Sequence, residues 1–472
     1  MTNLRDDLYK GLPNLNEQVS KVEKKTDWFV SIYEYENLRV GNDWKAAIQQ
    51  AIEDTKGTKK AVLIPYGVFE ISSTLTIYRY TKLFGVGKDL STIKLANGAN
   101  VDVVKTYMFD TYKGTTVTGS TEIAANLGVP IAFELRDLSI DGNFDNNTAG
   151  YGLRLYGKHF VLDNVIVKRC AEVGVYTEYG TNYIYEAEDT PETFINLEVH
   201  ETGGENFIFN GPADISITRL YCGWAGKKYS DSKHFSGEKV HNTVFQKGVE
   251  IGETHAFENQ AGYAYRFTGS STRIHADLII GESAQGCIRV DQGVSFNVSK
   301  LRAHSNRSNT NPCVLLDSDT GVVISNLDIR KYNTDGTATC LQINKENVKV
   351  RGIVMGNSSG GSKGNGVVLN SHHCDLDLNI RYFKNDGSTL YYGLITNPTA
   401  YLKRNTIRAQ IHGCDNAWYN QNLGLASIFN ITLNYNSTQG QTGRTGQGKN
   451  ATKEIWNVIE EDSGTAAITI TQ

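Results

Sequence analysis

A repeat of about 26 residues is the feature that most constrains the fold of this 472-residue chain. Short strands with apolar residues at alternate positions recur along the chain, and four of them start 26 residues apart, at Val298, Ile324, Val350 and Leu376. A second series of strands has steps of 26, 27 and 26 residues and starts at Cys287, Cys313, Cys340 and Gly366. A steady period of this length, carried by strands and polar turns, is typical of a solenoid.

Stacking of the coils is required because strands this short cannot bury an apolar face alone. Successive coils should lie about 4.8 Å apart, with parallel backbone pairing between them. The composition agrees, since 46 glycines and only 7 prolines suit many tight turns between short strands. No coil contains a ten-residue helical pattern, which disfavours an α/β repeat. The sequence therefore predicts an all-β solenoid of the single-stranded parallel β-helix type.

Two columns of equivalent residues follow from this alignment. We expect three cysteines at one position of consecutive coils to form a buried ladder of small apolar groups, namely Cys287, Cys313 and Cys340. We expect a polar column just after these strands to hydrogen-bond the turn backbone, namely Asp291, Asp317, Asn344 and Asn370. The chain has seven cysteines and no Cys-x-x-Cys pair, so the sequence indicates neither a zinc or redox motif nor a complete disulfide framework.

A segment near the N-terminus carries a resemblance to a known family. An amphipathic helix over Asp43–Ile52 is followed by VLIPYGVFEISSTLTI and then by KLFGVGKDLSTIKL. This order resembles the first coils of pectate-lyase-superfamily β-helices, phage tailspikes included. The resemblance implies a right-handed parallel β-helix whose open N-terminal end is covered by a capping helix. The acidic segment that usually precedes the helix is reduced here to Val40-Gly41-Asn42-Asp43.

The resemblance also implies a tailspike, which is a homotrimeric, receptor-binding protein of a virion tail that degrades a bacterial surface polysaccharide. The expected organisation is an N-terminal helical stalk or attachment segment over 1–35, the first coils and cap over 36–130, the β-helix body over 131–433 and a tail over 434–472. A heptad seam from Leu8 to Phe29 favours an oligomerising stalk that contacts other tail proteins, and a single amphipathic helix packed on its own domain is the alternative. We expect synthesis in the host cytoplasm without a signal peptide, and action outside the cell.

Several classes of function are disfavoured by charge and composition. The formal net charge is −4 and the pI is about 6.2, and no basic stripe is present that would neutralise nucleic-acid phosphates. No stretch approaches the roughly 20 apolar residues needed to span a bilayer. No ordered acidic cluster matches a calcium loop, so the sequence predicts no metal and no cofactor.

Glycoside hydrolysis requires a pair of carboxyl groups, because one must donate a proton while the other activates water or attacks the sugar. Acids concentrate between residues 195 and 260, where the period is interrupted by the insertion Trp224–Phe235. Coil counting places Glu201 level with His255, and Glu205 level with Glu258. The predicted catalytic pool is Glu201, Glu205, Asp231 and Glu253.

The insertion also supplies candidate sugar-binding side chains, because insertions in solenoids usually lie on the binding face. We expect Trp224 and Tyr229 to stack on sugar rings, Lys228 and Arg169 to hold an acidic sugar, and His255 to contact substrate. Two turns receive no role: the acidic turn Asp141–Asp145, and Asn333–Gly336, which matches one polygalacturonase motif without its companions.

Two other functions remain open on the sequence alone. A polysaccharide lyase would cleave a uronic-acid polymer by β-elimination, with a Lys, Arg, His or Tyr base in place of the carboxyl pair. A binding-only fibre would adhere to glycan without shortening it. The leading prediction is a depolymerase that hydrolyses capsule, lipopolysaccharide or wall glycan.

Overall fold

The structure is a computed structural model, and it describes residues 28–107, 109–112, 132–179, 194–213, 215–259, 261–270, 272–282, 284–306, 311–387, 389–396, 404–420, 428–434 and 455–460. The helices among these residues are a 3₁₀ helix (Ile32–Leu38), α1 (Lys45–Thr55) and α2 (Phe109–Tyr112). A lipid bilayer could not be crossed by any helix among these described residues, because each is too short or too polar.

Strands dominate the described residues. In chain order they are β1 (Phe29–Ser31), β2 (Ala61–Ile64), β3 (Gly67–Ile71), β4 (Leu75–Ile77), β5 (Lys82–Gly85), β6 (Ser91–Leu95), β7 (Val104–Thr106), β8 (Glu134–Asp141), β9 (Leu153–Tyr156), β10 (Val161–Lys168), β11 (Val175–Glu178), β12 (Phe194–His200), β13 (Phe207–Asn210), β14 (Ile215–Gly223), β15 (Thr243–Phe245), β16 (Val249–Phe257), β17 (Tyr263–Phe267), β18 (Thr272–Glu282), β19 (Gly286–Val290), β20 (Val294–Ser305), β21 (Val314–Leu316), β22 (Val322–Lys331), β23 (Leu341–Ile343), β24 (Val348–Met355), β25 (Val367–Leu369), β26 (Asp375–Arg381), β27 (Tyr392–Thr396), β28 (Thr406–His412), β29 (Asn416–Asn420), β30 (Ile428–Asn434) and β31 (Ile455–Glu460).

These strands form two long sheets in which every neighbouring pair is parallel. Along most of the chain, the even-numbered strands from β8 to β30 pair in succession to form sheet A, and the odd-numbered strands from β7 to β29 form sheet B. Each coil therefore contributes one strand to each sheet and then rises to the next coil. The predicted parallel β-helix is confirmed.

The apolar core lies inside the coils because alternate residues of each strand point inward. In β20 the inward residues Val298, Leu301 and Ala303 are buried, whereas Asn297 faces solvent. The predicted cysteine ladder is also confirmed. The amide of Cys287 donates to the carbonyl of Cys313 at 2.8 Å, Val314 donates to the carbonyl of Cys340 at 2.8 Å, and all three thiols are buried.

The helix predicted near the N-terminus is present as α1. Its buried face contains Ala47, Ile48, Ala51 and Ile52, which join the core at the first coil. The Asp43 carboxylate accepts a hydrogen bond from the Lys45 amide at 2.9 Å and another from the Ser72 hydroxyl at 2.5 Å. The acidic residue left in the shortened lead-in thus ties the start of the helix to the turn between β3 and β4.

The two ends of the chain differ from the predicted boundaries. Phe29, the last position of the predicted heptad seam, lies in β1 and pairs with Ala61 of β2, so the first coil begins before residue 36. At the other end, β31 pairs with β30 and extends sheet A into the predicted tail. Residues 1–27 of the predicted stalk, and residues 435–454 and 461–472 of the predicted tail, lie outside the described residues.

A glycine in β24 illustrates how tightly the coils approach. Gly352 has φ +149°, and a Cβ added to it would lie 2.0 Å from the backbone carbonyl oxygen of Leu327 in the coil below. Gly321 has φ +103°, but a Cβ there would have nothing within 4 Å. Substitution of Gly352 and of Gly321 by alanine therefore separates the effect of close packing from the effect of backbone conformation.

We predict that Gly352→Ala lowers the free energy of unfolding by about 3 kcal/mol or more, because overpacking against backbone adds to conformational strain. Gly321→Ala should cost only about 1–2 kcal/mol, from conformation alone. Urea denaturation of both full-length variants measures the difference. Equal decreases in the free energy of unfolding of the two variants would contradict the close approach of adjacent coils.

Candidate active site

Two columns of polar and aromatic side chains run along the outer face of sheet A, near the C-terminal ends of its strands. Pairing in register places the first column at Glu198, Tyr221, His255, Ile280, Arg302 and Asp328. The same pairing places the second column at His200, Gly223, Phe257, Glu282, His304 and Arg330. We call the acids, histidines and tyrosine of these columns the imidazole row: Glu198, His200, Tyr221, His255, Glu282, His304 and Asp328.

Glu282 lies at the centre of this row between two histidines. Its carboxylate is 3.3 Å from Nε2 of His255 and 3.2 Å from Nδ1 of His304. The neighbouring imidazoles of His255 and His304 outweigh the opposing effect of burial and hold the pKa of Glu282 well below its usual range. Glu282 is therefore ionised at neutral pH and lies within ion-pair distance of both imidazole rings, although Nε2 of His255 has no hydrogen-bond partner of good geometry among the described residues.

Tyr221 lies between two imidazoles of the row, those of His255 and His200. Its ring centroid is 5.1 Å from that of His255, at nearly a right angle, and 5.6 Å from that of His200. Phe257 packs beside it at 5.1 Å and also contacts Trp224, whose ring remains 37% exposed. These rings form an aromatic surface next to titratable groups, and such a surface suits the apolar faces of sugar rings.

The first coil of the row carries a second carboxylate with charged neighbours. The carboxylate of Glu198 is 2.7 Å from Nζ of Lys88 and 3.5 Å from Nε2 of His200. Burial raises the pKa of Glu198, but the hydrogen bond and charge of Lys88, with His200, lower it further than burial raises it. Burial lowers the pKa of His200, and its Nδ1 has no hydrogen-bond partner among the described residues.

The far end of the row is rich in cations. Asp328 is 2.9 Å from Nε of Arg330 and 4.0 Å from Nε2 of His304. Arg302 lies next to Asp328 in the first column, and its buried Nε has no hydrogen-bond partner within the described residues. This end of the row can therefore receive an anionic group of a ligand.

A groove follows the bend of sheet A, on the same outer face as the row but nearer the starts of the strands. It has a volume of about 380 Å³. Its polar lining comes from Ser216, Thr218, Glu250, His275, Asp277, Asn297 and Ser299. Glu250 and Asp277 are both exposed and belong to adjacent coils, so this groove also brings two carboxyl groups to one surface.

Four of the sequence-predicted site residues lie on or beside this face. His255 is a member of the imidazole row, and Trp224 contacts its aromatic surface. Glu253 is exposed on sheet A and pairs in register with Arg219. Glu201 is half-buried in the turn that follows His200, with φ +56°.

The other predicted residues lie on the flank covered by the insertion, where protein partners occupy them. Asp231 is paired with Lys239 at 2.5 Å, and the Tyr229 hydroxyl donates to the carbonyl of Thr148 at 3.0 Å. Lys228 donates to the carbonyls of Phe144 and Asn147, and Arg169 is paired with Asp145. The insertion therefore packs down onto the 141–148 turn, and these cations hold that turn.

The register predicted for the acids is wrong. The Glu201 amide donates to Gly223 and the Trp224 amide donates to Phe257, so Glu201 is level with Trp224 and Glu258 and not with His255. Asn206 donates to the carbonyl of Asn242, which places the preceding Glu205 level with His241 and not with Glu258. An extra residue causes part of the error, because Thr218 of β14 has no partner in β12.

Glu205 is fully buried where the insertion crosses its turn. The amides of Lys227 and Tyr229 bond to the carbonyls of Thr202 and Gly203, and this backbone covers the carboxyl group. Neither oxygen of Glu205 has a hydrogen-bond partner of good geometry among the described residues. Burial raises the pKa of Glu205 to about 7, and the nearby Ser232 hydroxyl offsets only part of this effect.

Sequence reasoning missed most of the imidazole row, namely Glu198, His200, Tyr221, Glu282, His304 and Asp328. The signal for these residues is weak but present. They occupy the outward positions that alternate with the apolar residues of successive strands, so an alignment of those positions would have placed the histidines and acids in adjacent coils.

Comparison with known proteins agrees with this architecture. Residues 41–227 match the family model described as rhamnogalacturonase A/epimerase, pectate lyase-like. The long parallel sheets show a parallel β-helix, and this match agrees with the pectate lyase-like fold that the resemblance implied. No curated protein matches the chain.

Solved structures to which this chain is similar include a phage protein and two enzymes. The N-terminal fragment of bacteriophage phi29 gene product 12 aligns at 14% identity over 89% of this chain and 69% of that fragment, with a TM-score of 0.50. The A-module of the mannuronan C-5 epimerase AlgE4 of Azotobacter vinelandii aligns at 13% identity over 92% and 100%, with a TM-score of 0.41. The catalytic unit of a GH87 α-1,3-glucanase of Streptomyces thermodiastaticus aligns at 12% identity over 93% and 70%, with a TM-score of 0.34. At these identities the likeness concerns the fold.

We predict that stability depends on pH through Glu205. Because burial raises the pKa of this acid from 4.5 to about 7 in the folded chain, the contribution of Glu205 to the free energy of unfolding is greatest at low pH and falls as pH rises through this window. The loss is roughly 3 kcal/mol by pH 8. Glu205→Gln should remove this dependence and unfold at higher denaturant concentration than the wild type at pH 8, but not at pH 5.

Asp231→Asn is the matched control, since Asp231 is exposed and lies on the insertion that covers Glu205. It should leave the pH dependence of denaturant unfolding unchanged. A stability difference between Glu205→Gln and the wild type that is the same at pH 5 and at pH 8 would contradict the buried placement of Glu205.

Proposed function

We propose that this chain is a tailspike-like protein that binds a bacterial surface polysaccharide across the outer face of sheet A and cleaves it at the imidazole row. The observation that supports this most is the position of Glu282 between His255 and His304, beside Tyr221, on a face that runs over many coils. A long shallow face suits a polymer, and oriented imidazoles suit proton transfer near neutral pH.

Proton abstraction from a uronic acid is the reaction that this geometry favours. One imidazole takes the proton from C5 of the sugar, and the electron pair left behind forms the C4–C5 double bond as the C4–O bond breaks. The leaving oxygen keeps the electron pair of that bond and takes a proton from Tyr221 or from the second imidazole. Arg302 would neutralise the sugar carboxylate, whose charge must be balanced before the C5 proton becomes acidic enough.

Hydrolysis has less support in the row itself. A general acid must hold a proton, yet neighbouring cations and imidazoles keep the pKa values of Glu282 and Glu198 low. The pool predicted from sequence does not converge either, because Glu205 is buried and Asp231 is paired on the insertion. Elimination is therefore our first candidate.

A hydrolytic site in the bend groove is the second candidate, and one observation favours it. Glu250 and Asp277 are exposed carboxyl groups that line the same groove from adjacent coils. Such a pair can serve as acid and base when a sugar lies between the two groups. The products distinguish the two candidates, because only elimination generates an unsaturated sugar.

The remaining parts of the proposal concern assembly. A virion-tail location, a homotrimer and attachment to other tail proteins through the N-terminal residues 1–27 are supported by the resemblance of the first coils to tailspikes. The absence of cleavage together with tight binding would identify an adhesive fibre instead.

We predict that the full chain shortens a uronate-containing polysaccharide and releases products that absorb in the ultraviolet. Glu282→Gln and Tyr221→Phe should each lower the rate of absorbance increase by about 10²-fold or more, because each removes a group that orients or transfers a proton. Asp231→Asn should keep full activity. Size-exclusion chromatography of glycans before and after incubation identifies the substrate for this assay.

Three outcomes would contradict the proposal. Shortening without absorbance, lost in Glu250→Gln but kept in Glu282→Gln, would move the reaction to the bend groove. Loss of activity in Asp231→Asn with activity retained in Glu282→Gln would move it to the insertion. If the chain binds acidic glycans but shortens none of them, its function would be binding without cleavage.

A further inference from the structure

Three metal-binding side chains meet outside the imidazole row, on the turns that lead from sheet B to sheet A. Glu346 lies in the turn between β23 and β24, and His372 and His373 lie in the next turn, between β25 and β26. The Asn370 amide donates to the carbonyl of Ile343, so the two turns are stacked. Glu346 and His372 are the third residues after their aligned strands, which places them one above the other.

The backbone conformation of His373 explains why two adjacent histidines face one partner. Consecutive side chains of an extended segment point in opposite directions. His373 instead has φ +55°, a left-handed conformation that breaks this alternation. The two imidazole rings consequently lie on the same side of the turn, with their centroids 4.7 Å apart.

The distances between the three ligand atoms are close to those expected around a bound metal ion. One carboxylate oxygen of Glu346 is 2.9 Å from Nε2 of His372 and 3.1 Å from Nδ1 of His373, and all three ligand atoms lie within 4.8 Å of one another. Ligand bonds near 2.1 Å place two donor atoms about 3.0 Å apart at a right angle and about 3.4 Å apart at a tetrahedral angle. A metal ion therefore needs only a small outward movement of these side chains.

The surroundings leave room for an ion and for water. The three side chains are between 38% and 40% exposed, and Glu346 is the only ionic partner that either histidine has within the described residues. Two imidazoles and one carboxylate suit Zn²⁺, Ni²⁺ or Cu²⁺ better than Mg²⁺ or Ca²⁺. Water would complete the coordination shell.

We propose that Glu346, His372 and His373 form a binding site for a divalent transition-metal ion, which joins two adjacent coils of the β-helix. The sequence analysis predicted no metal because the ligands are 26 and 27 residues apart and match no local motif. The site shares no residue with the imidazole row, so it contributes to the stability of the coils and not to the reaction. An ion that binds only the folded chain raises its melting temperature.

Titration of the full-length, chelator-treated chain with ZnCl₂ at pH 7.5 tests this proposal. Calorimetry should show one equivalent of Zn²⁺ bound at this site, and the melting temperature should rise with Zn²⁺. Glu346→Gln and His373→Ala should each weaken binding by about tenfold or more and remove the rise. Both residues are on the surface, so their melting temperatures without metal should equal that of the wild type.

His304→Ala is the matched control, because His304 makes a histidine–glutamate contact of similar length in the imidazole row. It should keep the rise in melting temperature with Zn²⁺. A wild-type chain with no binding below about 1 mM Zn²⁺ would overturn the proposal. So would a rise that persists in both Glu346→Gln and His373→Ala, or one that His304→Ala abolishes.

Discussion

Parallel backbone hydrogen bonding between coils is the interaction on which the rest of this structure depends. Between β18 and β20, for example, pairing extends from Thr272 opposite Val294 to Glu282 opposite His304. Because pairing fixes the height of every residue, outward side chains of successive coils lie about 4.8 Å apart in straight columns. Residues separated by 20 to 30 positions in sequence thereby become neighbours, and Glu282 reaches a histidine in the coil before it and another in the coil after it.

The same geometry determines which charged side chains are engaged by the protein itself and which are available to a ligand. Cations on the insertion flank are engaged by nearby backbone and acids, as Lys228 and Arg169 show with the 141–148 turn. On sheet A, carboxylates instead face imidazoles of adjacent coils.

The fold was predictable from sequence because inward residues repeat with a fixed chemical type. Apolar residues at alternate positions and three aligned cysteines suffice to establish the coil length, and Ala47 to Ile52 suffice to identify the cap. The site was less predictable because outward residues carry no repeated type. Their alignment also depends on single extra residues such as Thr218, and one such residue changes which acid is level with which histidine. Folding of the insertion onto the flank left no periodic signal at all, so Asp231 and Tyr229 were assigned to a binding face on composition.

Cleavage on the outer face of sheet A can be tested by a crystal structure of Glu282→Gln soaked with an acidic oligosaccharide that the chain binds. We expect a sugar lying across the stacked strands, with one ring on Trp224, its carboxylate near Arg302 and its C5 hydrogen facing His255 or His304. An oligosaccharide seated on the insertion beside Asp231 and Lys228, with the face of sheet A bare, would contradict it.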